Sequence, residues 1–226
     1  MINLDLVCNL NSEGVRHLTN KNFVGAAVSF HSALKLLDDD LAMPANTTIR
    51  SDDSSAILTT VSMDELVSEY HSFVCPKALT FQKTSPQWTD NDAVFVAGLV
   101  KYNAALLLHL QEQGDGGKSR RAALLYRQAL RDLRTIAQNR GGDMSNGTVS
   151  ATVAAIVCIN NLAEIYADFN QIKRAKSLMS MAMSLVNCLR ETQNADVLDD
   201  EFAVFFFDSV TLLNFQDDSG QAAASA

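Results

Sequence analysis

Three groups of residues have types and spacing that could do chemistry. Gly117-Lys118-Ser119 closes the run GDGGKS and matches the end of a phosphate-binding loop. The full motif needs a glycine where Glu112 stands and a strand before it, where a helical pattern runs instead. An interhelical turn is therefore the expected reading. The four histidines, His17, His31, His71 and His109, fall in four separate segments, and no Ser/His/Asp or Cys/His set emerges from their neighbours. Cys8, Cys75, Cys158 and Cys188 are equally scattered, with no paired ligand spacing for zinc. Cys8, Cys158 and Cys188 sit among apolar helical neighbours, as reduced, buried thiols do. The sequence thus predicts no catalytic residues, no metal and no cofactor.

A further group is basic. Arg120, Arg127, Arg131 and Arg134 follow one another at steps of seven, four and three, which puts them on one stripe of a helix. Between Lys118 and Arg140 there are seven basic residues and one acid, in a chain whose net charge is −8. Such a stripe suits phosphate groups or an acidic partner segment, and equally a solvated face meeting the chain's own acids. The acidic total and the lack of interleaved aromatics other than Tyr126 argue against nucleic acid.

The elements that must position these residues are helices. Gly14, Ala26, Phe30 and Ala33 are spaced twelve, four and three apart, and Ala163, Ala175, Met179 and Ala182 repeat those steps. Ala122, Tyr126 and Ala129 give the second half again, preceded at a longer interval by Ala105. A small residue on each of two helices lets them approach, and the large one fills the space beside it.

In residues 10–38, 101–133 and 160–186 this pattern resembles the tetratricopeptide repeat, a helix–turn–helix unit of about 34 residues. The family's aromatic or large positions fall on Phe23 and Phe30, on Tyr102 and Tyr126, and on Tyr166 and Met179. None of the copies has the Trp near its start, the first has His17 where a Tyr is usual, and none ends in Pro. The resemblance implies an all-α fold: a short right-handed α-solenoid of about three helix–turn–helix repeats. It would span residues 1–215, with an insertion at 41–90 and a C-terminal capping helix built on EFAVFFFDSVTLLNF. It further implies a concave groove lined by the first helix of each pair, in which an Asn two residues before the small residue binds a peptide's main chain. Asn103 and Asn161 hold that position, Ser12 takes it in the first copy, and Asn160, Glu164, Asp168 and His109 would share the surface. The cations that clamp a peptide carboxylate in chaperone-binding members are missing.

Between these units the pattern predicts helices over 4–19, 23–37, 91–113, 148–169 and 171–189, with Ser119 capping another that ends near 138. Residues 41–61 are Ser/Thr/Asp-rich and without period, which reads as an insertion. Ser62-Met63-Asp64-Glu65 resembles a capping box opening a short helix. Residues 71–83 favour an extended segment lying against the helices and able to fill the groove in cis, with Trp88 plugging an edge. Residues 216–226 read as a disordered tail. MINLDLVCNL has an acid where a secretory signal needs a base, and the apolar runs are short, so a cytoplasmic or nuclear protein is expected, without a membrane. The expected function is a non-catalytic scaffold for a protein or peptide ligand. The alternative is a subunit of a homo- or hetero-oligomer joined through the C-terminal helix.

Overall fold

The computed structural model describes residues 3–41, 56–62, 75, 77–83, 87–111, 116–138 and 146–191. The expected helix at 63–70, the C-terminal helix and the tail lie outside them. Among the described residues the order is α1 (Leu4–Thr19), α2 (Phe23–Leu41), β1 (Ala56–Ser62), β2 (Lys77–Lys83), α3 (Asp90–Leu110), α4 (Gly116–Gln138), α5 (Asn146–Asp168) and α6 (Ile172–Glu191). Each helix packs on the next in chain order; α3 also touches α1 and α5, β2 lies against α1 and α3, and β1 lies against α5.

The spacing of small residues explains the pairing. Ala26, Ala33, Ala105, Ala122, Ala129, Ala163, Ala175 and Ala182 are all buried, and so is Gly14. At Gly14 an added Cβ would lie 2.5 Å from the Phe30 ring, so α1 and α2 meet there without room for a side chain. Gly98 plays the same part on α3, where a Cβ would come within 2.9 Å of Leu133 on α4.

Two of the interhelical turns are copies of one another. After α1, Lys21 N–H donates to the Leu18 carbonyl and Asn22 N–H to the His17 carbonyl, with Lys21 at φ 58°. After α5, Asn170 N–H donates to the Ala167 carbonyl and Gln171 N–H to the Tyr166 carbonyl, with Asn170 at φ 55°. Both are Schellman turns, which satisfy the last free carbonyls through one left-handed residue. Asn22 then caps α2, its Oδ1 accepting from Gly25 N–H at 3.0 Å. The capping box that opens α3 is Thr89 with Asp92.

The helix boundaries depart from expectation in places. α2 runs on to Leu41, α3 stops at Leu110, and α4 begins at Gly116, so Ser119 is inside its first turn and is not its cap. Gly117-Lys118-Ser119 is therefore helical and forms no phosphate loop. The larger correction is β1. The polar stretch 41–61 hides a strand, and Ser62 ends that strand. The β-branched alternation in AILTTVS pairs antiparallel with β2, with Leu58 opposite Phe81, Thr60 opposite Leu79 and Ser62 opposite Lys77.

A lone hairpin is marginal in water. This one is held by burial: Ala78 and Leu79 are wholly inside, and Leu58, Val61 and Phe81 pack against the main core. That core runs continuously from α1 to α6. A smaller cluster of Leu4, Val7, Ala33, Leu37, Val96 and Val100 closes the end beside Trp88. Trp88 packs edge-on to Phe81 at 6.0 Å, with the Lys83 ammonium 3.9 Å over its ring. Two helices, Asp90–Leu110 and Gly147–Asp168, are long and apolar enough by composition to cross a membrane, although the apolar runs of the sequence looked too short. Here 78% and 100% of those stretches are buried within the protein, as core helices are. Cys188 is exposed, unlike the buried thiol expected there, whereas Cys75 and Cys158 are buried.

Candidate functional site

Where α1, α3 and α5 face the hairpin, a row of polar side chains grips the backbone of the segment containing β2. Asn103 on α3 takes both polar groups of one residue. Leu79 N–H donates to Asn103 Oδ1 at 2.8 Å, and Asn103 Nδ2 donates to the Leu79 carbonyl at 2.6 Å. Asn161 on α5 does the same four residues earlier in the segment: Cys75 N–H donates to its Oδ1 at 2.7 Å, and its Nδ2 donates to the Cys75 carbonyl at 3.2 Å. Between them the Tyr102 hydroxyl donates to the Lys77 carbonyl at 2.9 Å. An amide is the side chain that both donates and accepts in one plane, so it can match the N–H and C=O of an extended residue.

The period of two follows from strand geometry. In an antiparallel pair, alternate residues point their N–H and C=O toward the partner strand or away from it. Leu79 gives both groups to Asn103, so its pair with Thr60 is of the non-hydrogen-bonded kind. Cys75, Lys77 and Leu79 therefore turn the outer edge of the chain toward the helices. The helices in turn present amides and a phenol where a third strand would present its backbone. The other edge is also met, since Leu58 N–H donates to Ser150 Oγ at 3.2 Å.

The clamps are themselves braced. Asn103 Nδ2 donates to Asn11 Oδ1 at 2.8 Å, and Asn11 Nδ2 donates to the Leu79 carbonyl at 3.2 Å. Asn161 Nδ2 also lies 3.2 Å from the Tyr102 oxygen and 3.3 Å from that of Tyr126. Asn160 Nδ2 reaches Asn161 Oδ1 at 3.4 Å. Behind Tyr126, His109 packs edge-on to its ring at 5.9 Å, with its Nε2 3.6 Å from Glu164 Oε2. Burial drives the Tyr102 and Tyr126 hydroxyls well above the ordinary phenol range, so both stay protonated.

Asn103, Asn161, Asn160, His109 and Glu164 are thus brought into one buried cluster, while Asp168 lies two turns beyond Asn161 at the exposed end of α5. In the first unit the position expected to serve was Ser12. It is exposed, and the neighbouring Asn11 does the work. Asn11 stands one residue out of the register of Asn103 and Asn161, and that offset hid it. Tyr102, identified as a filler, was the other omission: its hydroxyl reaches the strand.

The arginines are elsewhere. Arg120, Arg127, Arg131 and Arg134 are exposed on α4, and none is ion-paired with a described residue. Asp132, the acid among them, is paired with Lys101 on α3. Among the described residues no group of His, Cys, Asp or Glu could hold a metal ion. Compared with known proteins, the chain matches no protein-family model, no curated protein and no solved structure.

Proposed function

We propose that this chain is a non-catalytic protein-interaction scaffold of tetratricopeptide-like design, a short right-handed α-solenoid working in the cytoplasm or nucleus. Its concave side is the face of α1, α3 and α5. The repeated Schellman turns after α1 and α5 and the shared spacing of buried small residues support the repeat reading. The single observation behind the functional reading is the pair of amide clamps, Asn103 on Leu79 and Asn161 on Cys75. They bind main chain alone, so they impose no side-chain sequence at the clamped residues. On this reading the groove is a site for one extended segment, and the chain's own strand is its resident occupant. A protein or peptide partner enters by replacing that strand.

The test is uptake of a labelled peptide copying residues 71–83, followed by fluorescence anisotropy. The full chain is compared with Ala78→Asp, which weakens the resident strand by placing a charge at a buried position. Slow uptake by the full chain, faster uptake by Ala78→Asp, and loss of uptake when Asn103→Ala and Asn161→Ala are added would support an exchangeable groove. Absence of uptake by both the full chain and a folded Ala78→Asp variant would reduce the clamps to internal structure.

A further inference from the structure

We infer that a second surface, the groove between α4 and α6, receives an acidic amphipathic helix from another protein. The groove lies over α5. Its floor is apolar, built from Leu130, Leu162, Tyr166, Leu178 and Met181, and it holds about 510 Å³. Arg127, Arg131 and Arg134 stand along its rim. A second concavity of about 570 Å³ shares Arg127 and Tyr166 with the first and extends it past Leu124 and Phe169 to Arg120 and Arg174. Neither is lined by an acid.

Charge selects the occupant. The chain carries 26 acids against 18 bases, so unpaired cations are not forced on it by a shortage of partners. Yet Arg120, Arg127, Arg131 and Arg134 take no acid among the described residues. Arg174 is held in place instead: its Nη1 donates to Gln171 Oε1 at 2.7 Å, and its guanidinium lies 5.8 Å from the centre of the Tyr166 ring. A row of cations beside an apolar floor matches a ligand that is anionic on its flanks and apolar beneath.

Shape selects it further. From Arg120 to Arg134 the stripe follows about 21 Å of helix axis, close to four turns. A partner helix laid along it would set carboxylates against the guanidiniums at steps of three and four, and its apolar side on the floor. Leu124, 53% exposed on α4, would be covered by the same helix. A nucleic-acid backbone would leave the apolar floor unfilled, and the chain's net negative charge repels a polyanion at distance. This groove is built from α4, α5 and α6, independently of the strand site.

The experiment uses the full chain and a labelled peptide of about five helical turns, with leucines at helical spacing and glutamates on both flanks. Its control is a peptide of the same composition with the spacing scrambled. The expected result is saturable binding of the first peptide, at least about tenfold tighter than the second. Arg127→Gln, Arg131→Gln and Arg134→Gln together should weaken it by about tenfold or more, and rising salt should weaken it too. Met181→Asp should weaken it with every arginine intact. The arginines are exposed, so the triple variant is expected to keep the helical circular dichroism and melting temperature of the parent. No binding to the full chain overturns the inference, as does equal binding of the scrambled peptide or binding indifferent to the triple variant. Tighter arginine-dependent binding of a single-stranded oligonucleotide would assign the stripe to a polyanion instead.

Discussion

At the scale of single residues, the account rests on amides that bind backbone. Asn103 makes bonds to Leu79 N–H, the Leu79 carbonyl and Asn11, all buried. Asn103→Ala leaves a buried backbone donor unpaired and should cost about 2–4 kcal/mol in urea unfolding. Asn103→Asp keeps the acceptor for Leu79 N–H but sets a carboxylate against the Leu79 carbonyl. Burial would raise the folded pKa of that carboxyl above its unfolded value, so the variant should be most stable in acid and lose stability as pH rises. A variant as stable as the parent at pH 7 would contradict the clamp. The native chain has its own pH signature. Burial pushes the Cys8 thiol up to about 12 and raises Cys158, Tyr102 and Tyr126 as well. Raised acids contribute stability that is whole below their unfolded values and lost as pH climbs toward the folded ones. The urea midpoint should therefore be insensitive to these four groups at neutral pH and fall above roughly pH 9. Asn103 and Asn161 were legible because they precede a small residue by two. Asn11 was not, because the helix approaches the strand one position out of that register, which only the packed structure reveals.

At the scale of elements, helix pairing depends on the absence of atoms. A helical Gly→Ala change usually gains about 1 kcal/mol from backbone propensity. At Gly14 the new methyl would meet the fully buried Phe30 ring at 2.5–2.9 Å, and that ring cannot swing away. Overpacking should dominate, with Gly14→Ala losing about 1–3 kcal/mol in chemical denaturation. At Gly25 the new methyl would meet Asn22 Nδ2 at 2.6 Å and the His17 ring at 2.9 Å. Asn22 caps α2, so displacing it offsets the gain in helix propensity, and Gly25→Ala should lose less than Gly14→Ala, about 1 kcal/mol at most. Equal effects at the two sites would mean that α1 and α2 do not pack as described. The helices were readable from the chain because steps of three and four between small and large residues write a helical face directly. The strand β1 was not. AILTTVS carries β-branched alternation, but its surroundings are polar, and its partner lies beyond a long separation in sequence. Strand identity there is set by pairing and burial, which are not local properties.

At the scale of the whole molecule, the strand joins helices that chain order keeps apart. α1, α3 and α5 are each separated by another helix, and the segment around β2 is bonded to all three, through Asn11, Asn103 and Asn161. The hairpin therefore braces the three helices, and the proposal of an exchangeable groove stands or falls on how tightly it is held. Amide hydrogen exchange on the full chain, read at single residues by NMR, addresses this most directly. The account predicts that Leu79 and Cys75 amides are protected like those of the core helices. Asn103→Ala should release Leu79 while Cys75 stays protected, and Asn161→Ala should do the reverse. Exchange of both amides in the parent chain at the rate of a free peptide would contradict it.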